Sequence, residues 1–295
     1  MPTPDTNDPV SRLLTLLDLE RIEINLFRGV SPAGLWRRVF GGQVVAQALV
    51  AAQRTVDSDR QAHSLHGYFM RPGDPSIPII YEVGRLRDGG SFTTRRVTAI
   101  QNGEAIFALE SSFQKEEEGL EHFIEMPDVP GPETLPSRQQ LADNPDIDVP
   151  EVVRAFWRAD RPIDMRPVDL AHYTTDAKLP PRADVWFRAS GKLPDDRLIQ
   201  RAVLAYASDM TLLDTSLYPH GKAVFHSSIQ AASLDHALWF HRPFNLDEWH
   251  LYTQDSPNSS GGRGLSRGSI YDREGRLVAS VAQEGLIRLR RTRAE

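Results

Sequence analysis

Apolar positions recur at helical spacing most clearly in residues 43–56. Val44, Val45, Ala48, Leu49 and Ala52 recur at helical spacing (44, 48, 52 and 45, 49), which predicts a buried helix opened by Gly41 and Gly42. A shorter apolar stretch, residues 13–19, predicts a helix ahead of it. The period then changes. Residues 63–70, 78–86, 92–100 and 105–114 read as strands, and Asn102-Gly103 between the last two is a strong hairpin signal.

Residues 117–165 break the pattern with glutamates and repeated prolines, so they read as a linker with a short helix near 151–158. The plan then returns. Residues 185–189 predict a strand, 195–213 a helix, and 233–240 and 249–253 two more strands. Gly261-Gly262 marks a turn, and residues 265–271 and 276–284 form a hairpin. Tyr68-Phe69-Met70-Arg71-Pro72 aligns with Trp239-Phe240-His241-Arg242-Pro243. A helix followed by antiparallel strands, occurring twice, is an α+β duplication. The chain divides into a disordered N-terminus at 1–10, a first unit at 11–116, the linker at 117–165 and a second unit at 166–295. The two sheets are expected to join, which removes two exposed edges.

Composition narrows the chemistry. The 295 residues include no Cys, which excludes disulfides, thiolate nucleophiles and Cys-based zinc sites. The formal charge of 34 − 40 = −6 argues against a nucleic-acid partner. Residues 288–293 are basic and could attract an anion, but read more simply as a solvated tail. The apolar run at 44–52 is far short of the ~20 residues a membrane helix needs. Residues 1–9 are polar and Pro-rich, with no apolar signal core. The expectation is a cytoplasmic protein without membrane insertion.

Asp209 is the anomaly. On the predicted second helix Ala202, Val203, Tyr206, Met210 and Leu213 form an apolar stripe, and Asp209 falls on it. A carboxylate aimed at a core is costly unless it is hydrogen-bonded or functional. It reads either as a satisfied structural group, capping a break in the helix, or as chemistry. Gly264-Leu265-Ser266-Arg267-Gly268 matches the pattern of a serine-hydrolase elbow. The elbow needs a strand before the serine, a helix after it, and a later His, yet the last His is His250. The match is read as accidental. His63 with His66, and His236 with His241, are spaced for opposite strand faces, so no metal site is expected.

Several segments together resemble one family. Val39-Phe40-Gly41-Gly42-Gln43, His63-Ser64-Leu65-His66, Arg71-Pro72-Gly73-Asp74 and Arg87-Asp88-Gly89 are similar to the type II acyl-CoA thioesterases. So are Tyr206-Ala207-Ser208-Asp209, Leu234-Asp235-His236, Trp239-Phe240-His241-Arg242-Pro243-Phe244 and Gln283-Glu284-Gly285. The resemblance runs in order from about residue 11 to residue 290. It implies a double hot-dog fold, in which each unit is a long helix wrapped by a curved sheet. It implies hydrolysis of acyl-CoA to free fatty acid and CoA, with no cofactor.

The resemblance maps the catalytic set onto Asp209, Ser233 and Gln283. Many relatives carry Thr where this chain has Ser233, so the hydroxyl is retained and the stiffening methyl is lost. These residue types suit water activation: a carboxylate takes the proton while neutral groups hold the water. Gly41, Gly42 and Gln43 offer free backbone N–H groups at a helix N-terminus, either for the thioester oxyanion or acyl group, or merely for a tight turn. Alignment of the halves sets Ala62 against Ser233 and Ser111 against Gln283, which predicts one active site per chain. Phe40, Tyr68, Phe69 and Trp239 line an acyl tunnel or pack the core. Relatives imply a homo-oligomer, dimer or tetramer. The alternative reading is a non-catalytic acyl-CoA-binding or regulatory protein on the same fold.

Overall fold

The computed structural model describes residues 8–32 and 38–290. The expected disorder of residues 1–7 lies outside them. Disorder does not extend to residue 10, because α1 (Pro9–Leu17) already begins at Pro9, capped by the Asp8 carboxylate on the Ser11 N–H. The first half continues with β1 (Glu20–Glu23), β2 (Leu26–Gly29), α2 (Gly41–Gln53), β3 (Arg60–Phe69), β4 (Ile79–Asp88), β5 (Phe92–Gln101) and β6 (Glu104–Lys115). The connecting segment carries α3 (Arg138–Asp143) and the expected α4 (Glu151–Arg158). The second half holds β7 (Ile163–Pro167), α5 (Ala171–Thr174), β8 (Arg182–Ala189), α6 (Arg197–Ser208), β9 (Ile229–Ser233), β10 (Asp235–Phe240), β11 (His250–Ser260), β12 (Arg263–Tyr271) and β13 (Leu277–Leu289). Strand structure therefore begins at Ile163, inside the segment expected to be linker.

The described strands form one antiparallel sheet of thirteen, in the order β1-β2-β4-β5-β6-β3-β10-β13-β12-β11-β8-β7, with β9 also on β13. The halves join at β3 and β10, where Leu65 lies opposite Leu238. This is the double hot-dog arrangement, an α+β fold. No helix among the described residues is long and apolar enough to cross a membrane.

Helix α2 is buried around its whole circumference, as its apolar composition requires. Its three glutamines are satisfied locally, Gln53 by donating to the Arg60 carbonyl. Gln47 donates to the Leu16 and Val30 carbonyls and accepts from the Tyr81 hydroxyl. Gln43 donates to Val30 O and Ser31 Oγ. The α2 N-terminus packs against the C-terminal end of α6, and two glycines permit the approach. A Cβ on Gly42 would stand 2.4 Å from the Tyr206 carbonyl oxygen, and one on Gly41 would stand 2.7 Å from Asp209 Oδ2.

Two expected elements end early, and both endings shape the site. The second helix stops at Ser208 rather than running to 213. The Ser208 carbonyl accepts from the Tyr252 hydroxyl at 3.0 Å, and the chain tightens into a 3₁₀ turn at Leu212–Ser216. The strand expected at 233–240 is two strands, broken at Leu234, whose N–H goes to Glu284 O. The extra residue resets the alternation. Ser233 and His236, three apart, would face opposite ways on a regular strand, yet both turn inward.

Candidate active site

Asp209 is the C-cap of α6, at φ −87° and ψ −2°. Its side chain is 4% exposed and faces the first turn of α2. The Gln283 amide, from β13, donates to Asp209 Oδ1 at 2.9 Å and to Ser233 Oγ at 2.5 Å. Ser233 and the Gly42 N–H also bond to the carboxylate. The three residues singled out in the sequence thus meet at one point, from a helix end and two strands. Gly41 and Gly42 border the same point. The Gln43 side chain turns away to Val30 and Ser31, so only its backbone is available to the site.

Burial pushes the Asp209 carboxyl up to about 6, against the lowering effect of its bonds to Gln283, Gly42 and Ser233. A carboxylate with three donors fills three of roughly four lone-pair positions, which leaves one for a water. At neutral pH the group is ionised yet basic enough to accept a proton.

Ser208 and His236 complete the network, and the sequence reading assigned neither a role. His236 is fully buried, and burial lowers its ring to about 4, so it is neutral at pH 7. Its tautomer follows from the partners. Both Gln283 N–H groups are committed, so Gln283 Oε1 faces His236 Nδ1 at 3.4 Å as an acceptor. Nδ1 therefore carries the proton, and bare Nε2 lies 2.8 Å from Ser208 Oγ, whose single proton is divided between this ring nitrogen and the Ala205 carbonyl at 3.0 Å. A line of hydrogen bonds from Ser208 through His236 holds the Gln283 amide in the orientation that serves Asp209. The odd spacing of Ser233 and His236 hid this, because only the break at Leu234 brings them to one face.

Other candidates go elsewhere. Ser266 stands mid-strand in β12, fully buried, and accepts from Thr215 Oγ1 at 3.0 Å. No strand-to-helix elbow surrounds it. His63 pairs with Ser112, and His241 with Ser280. Among the described residues no group of three or more His, Cys, Asp or Glu could hold a metal ion. Tyr68 is 65% exposed, and Trp239 sits edge-on to His66, whose side of β3 is exposed, so neither lines an interior tunnel. Phe69 lies against Gly41, and Phe40 against Tyr206, both beside Asp209.

Two family models match the chain, one described as acyl-CoA thioesterase over residues 152–286 and one as acyl-CoA thioesterase N-terminal domain over residues 31–114. The chain is 42% identical over 282 residues to acyl-CoA thioesterase 2 of Haemophilus influenzae, covering 96% of this chain and 99% of that protein. The chain belongs to the type II acyl-CoA thioesterase family. It is also 38% identical to human acyl-coenzyme A thioesterase 8, covering 97% of this chain and 93% of the relative. Among solved structures, acyl-CoA thioesterase II TesB2 of Mycobacterium marinum superposes with a TM-score of 0.78 at 43% identity, over 94% of this chain and 98% of that one. The relatives span both halves, so the duplicated sheet and the site between α2 and α6 fall within the shared region.

Proposed function

We propose that the acyl-CoA thioester hydrolysis of this family is carried out here by one water, held and deprotonated by Asp209, Ser233 and Gln283, with no covalent intermediate. The observation that carries this reading is the meeting of an ionisable buried carboxylate with two neutral hydrogen-bonding side chains in a single network. Asp209 takes a proton from the water as its oxygen bonds to the thioester carbon. The C–S bond then breaks, and the proton passes from Asp209 to the departing CoA thiolate. Ser233 and Gln283 hold the Asp209 carboxylate in place and so fix the line of attack. The remaining N–H groups of the first α2 turn, at Gly41 and Gln43, face the developing oxyanion with the positive end of the helix.

The reading needs no cofactor and places the enzyme in the cytoplasm, acting on fatty acyl-CoA. It takes the working form as a homo-oligomer. The apolar Ile22 and Ile24, exposed at the β1 edge of the sheet, support pairing with another copy; light scattering in solution reads this directly.

The decisive assay follows release of free thiol from acyl-CoAs of increasing chain length. Turnover supports hydrolysis. Tight acyl-CoA binding by calorimetry, with no thiol released at any length, would instead establish the non-catalytic binding protein.

A further inference from the structure

Beside the strand that delivers Ser233 lies an open concavity of about 360 Å³, lined by Arg38, Gln230, Ala231, Ala232 and Arg290. Its described lining includes two arginines and no acidic residue. Many surface arginines sit on acids, as Arg28 does on Glu20, Arg96 on Glu110 and Arg267 on Asp255, and others, such as Arg21 and Arg182, stand singly among the described residues. Arg38 and Arg290 form no ion pair with any described residue. In a chain of net charge −6, two cations that line one space and have no acidic partner among the described residues repel each other and favour an anion between them.

The position is as informative as the charge. Ala231 and Ala232 directly precede Ser233 in β9. Arg290 donates its backbone N–H to Ser228 O, and the chain from Ser228 to Ser233 covers roughly 17 Å at ~3.3 Å per residue. Arg38 precedes Gly41, which touches Asp209, by at most about 10 Å of extended chain. The cations therefore lie a short stretch of chain from residues of the hydrolytic centre. An acyl-CoA has the same layout, with the thioester at one end of an extended pantetheine arm and a phosphorylated nucleotide at the other. Guanidinium groups match phosphate oxygens through paired, charge-assisted hydrogen bonds.

We propose that the Arg38–Arg290 concavity binds the phosphates of the CoA nucleotide, an assignment that rests on the hydrolytic reading of Asp209, Ser233 and Gln283. The basic C-terminal stretch is thereby in part a substrate-binding element rather than only a solvated tail.

The test uses Arg38→Gln, Arg290→Gln and the double variant with three substrates of one acyl group: the acyl-CoA, its 3′-dephospho form and the acyl-pantetheine. The double variant should raise KM for acyl-CoA by about tenfold or more at unchanged kcat, with KM for acyl-pantetheine unaltered. A KM for acyl-CoA within about twofold of wild type, or an equal rise for acyl-pantetheine, overturns the proposal. If the wild type hydrolyses none of the three, the hydrolytic reading fails separately. Calorimetry with adenosine 3′,5′-bisphosphate then decides the subsite: binding lost in the double variant supports it, and binding unchanged overturns it.

Discussion

The two halves of the sheet share one backbone plan and fill it with different chemistry. In the second half Gln283 on β13 lies opposite Ser266 on β12. At the matching place in the first half Ser111 on β6 lies opposite Arg95 on β5. Ser233 lies opposite Gly285, and its counterpart Ala62 lies opposite Phe113. Both halves carry an irregularity at the same point, at Leu234 in one and around His63 in the other. In the second half it turns Ser233 and His236 inward; in the first it turns the apolar pair Ala62 and Leu65 inward.

The end of each central helix shows the same contrast. Past α6 stands Asp209, a carboxylate raised by burial and open to a water. Past α2 stands Thr55, whose hydroxyl and carbonyl are both taken by the fully buried guanidinium of Arg95 at 2.8 and 3.0 Å. Arg95 also bonds to Asp88 and to the Arg87 and Thr94 carbonyls. That cluster leaves no basic group for chemistry. One half places a buried carboxylate at this point; the other fills its equivalent with a satisfied cation. A buried network of this kind stabilises only while it is complete.

The largest expected effects separate the halves. Asp209→Asn should lower kcat/KM on the order of 10³-fold with circular dichroism and Tm preserved. Arg95→Met should do the opposite, leaving kcat/KM of the folded protein unchanged while denaturant melts show a loss of about 3 kcal/mol. A catalytic collapse on changing Arg95 without loss of stability would break the comparison.

Next comes His236. His236→Leu removes the donor that orients Gln283, and kcat should fall up to about 10²-fold with KM little changed. His236→Asn keeps an N–H near the old Nδ1 position and should recover most of the loss. Equal damage by both substitutions would reduce His236 to a packing residue.

Ser233→Ala should cost about tenfold in kcat, the equivalent of one neutral hydrogen bond, while Ser233→Thr stays within about threefold. Smallest of all, Ser266→Ala should leave kcat within about twofold, and fluorophosphonates should not label the enzyme. Inactivation by either would move the chemistry to β12.

Much of this was legible before any coordinates. Asn102-Gly103 takes positive φ at both residues, as its hairpin requires, and Gly261-Gly262 does likewise. Asp209 was visible because a carboxylate violates an apolar stripe. Ser233 and Gln283 were not visible from pattern alone, because neutral polar residues on strands violate nothing; the resemblance supplied them. Ser208 and His236 stayed hidden because their roles depend on a helix stop and a strand break. Both are set by distant partners, Tyr252 and Glu284, that local periodicity does not register.

The central claim is that a carboxylate in the second half, held up by burial, is the general base. Its folded pKa of about 6 lies above the ordinary carboxylate range, so the active ionised form is present above that pH and is lost as pH falls through it. His236, lowered to about 4, stays neutral across the same window. The most direct measurement is kcat/KM for an acyl-CoA from pH 4.5 to 8 in wild type and Asp209→Asn. The account predicts a limb rising through about pH 6 in the wild type and absent from the residual activity of the variant. A flat wild-type profile, or the same limb in the variant, would contradict it.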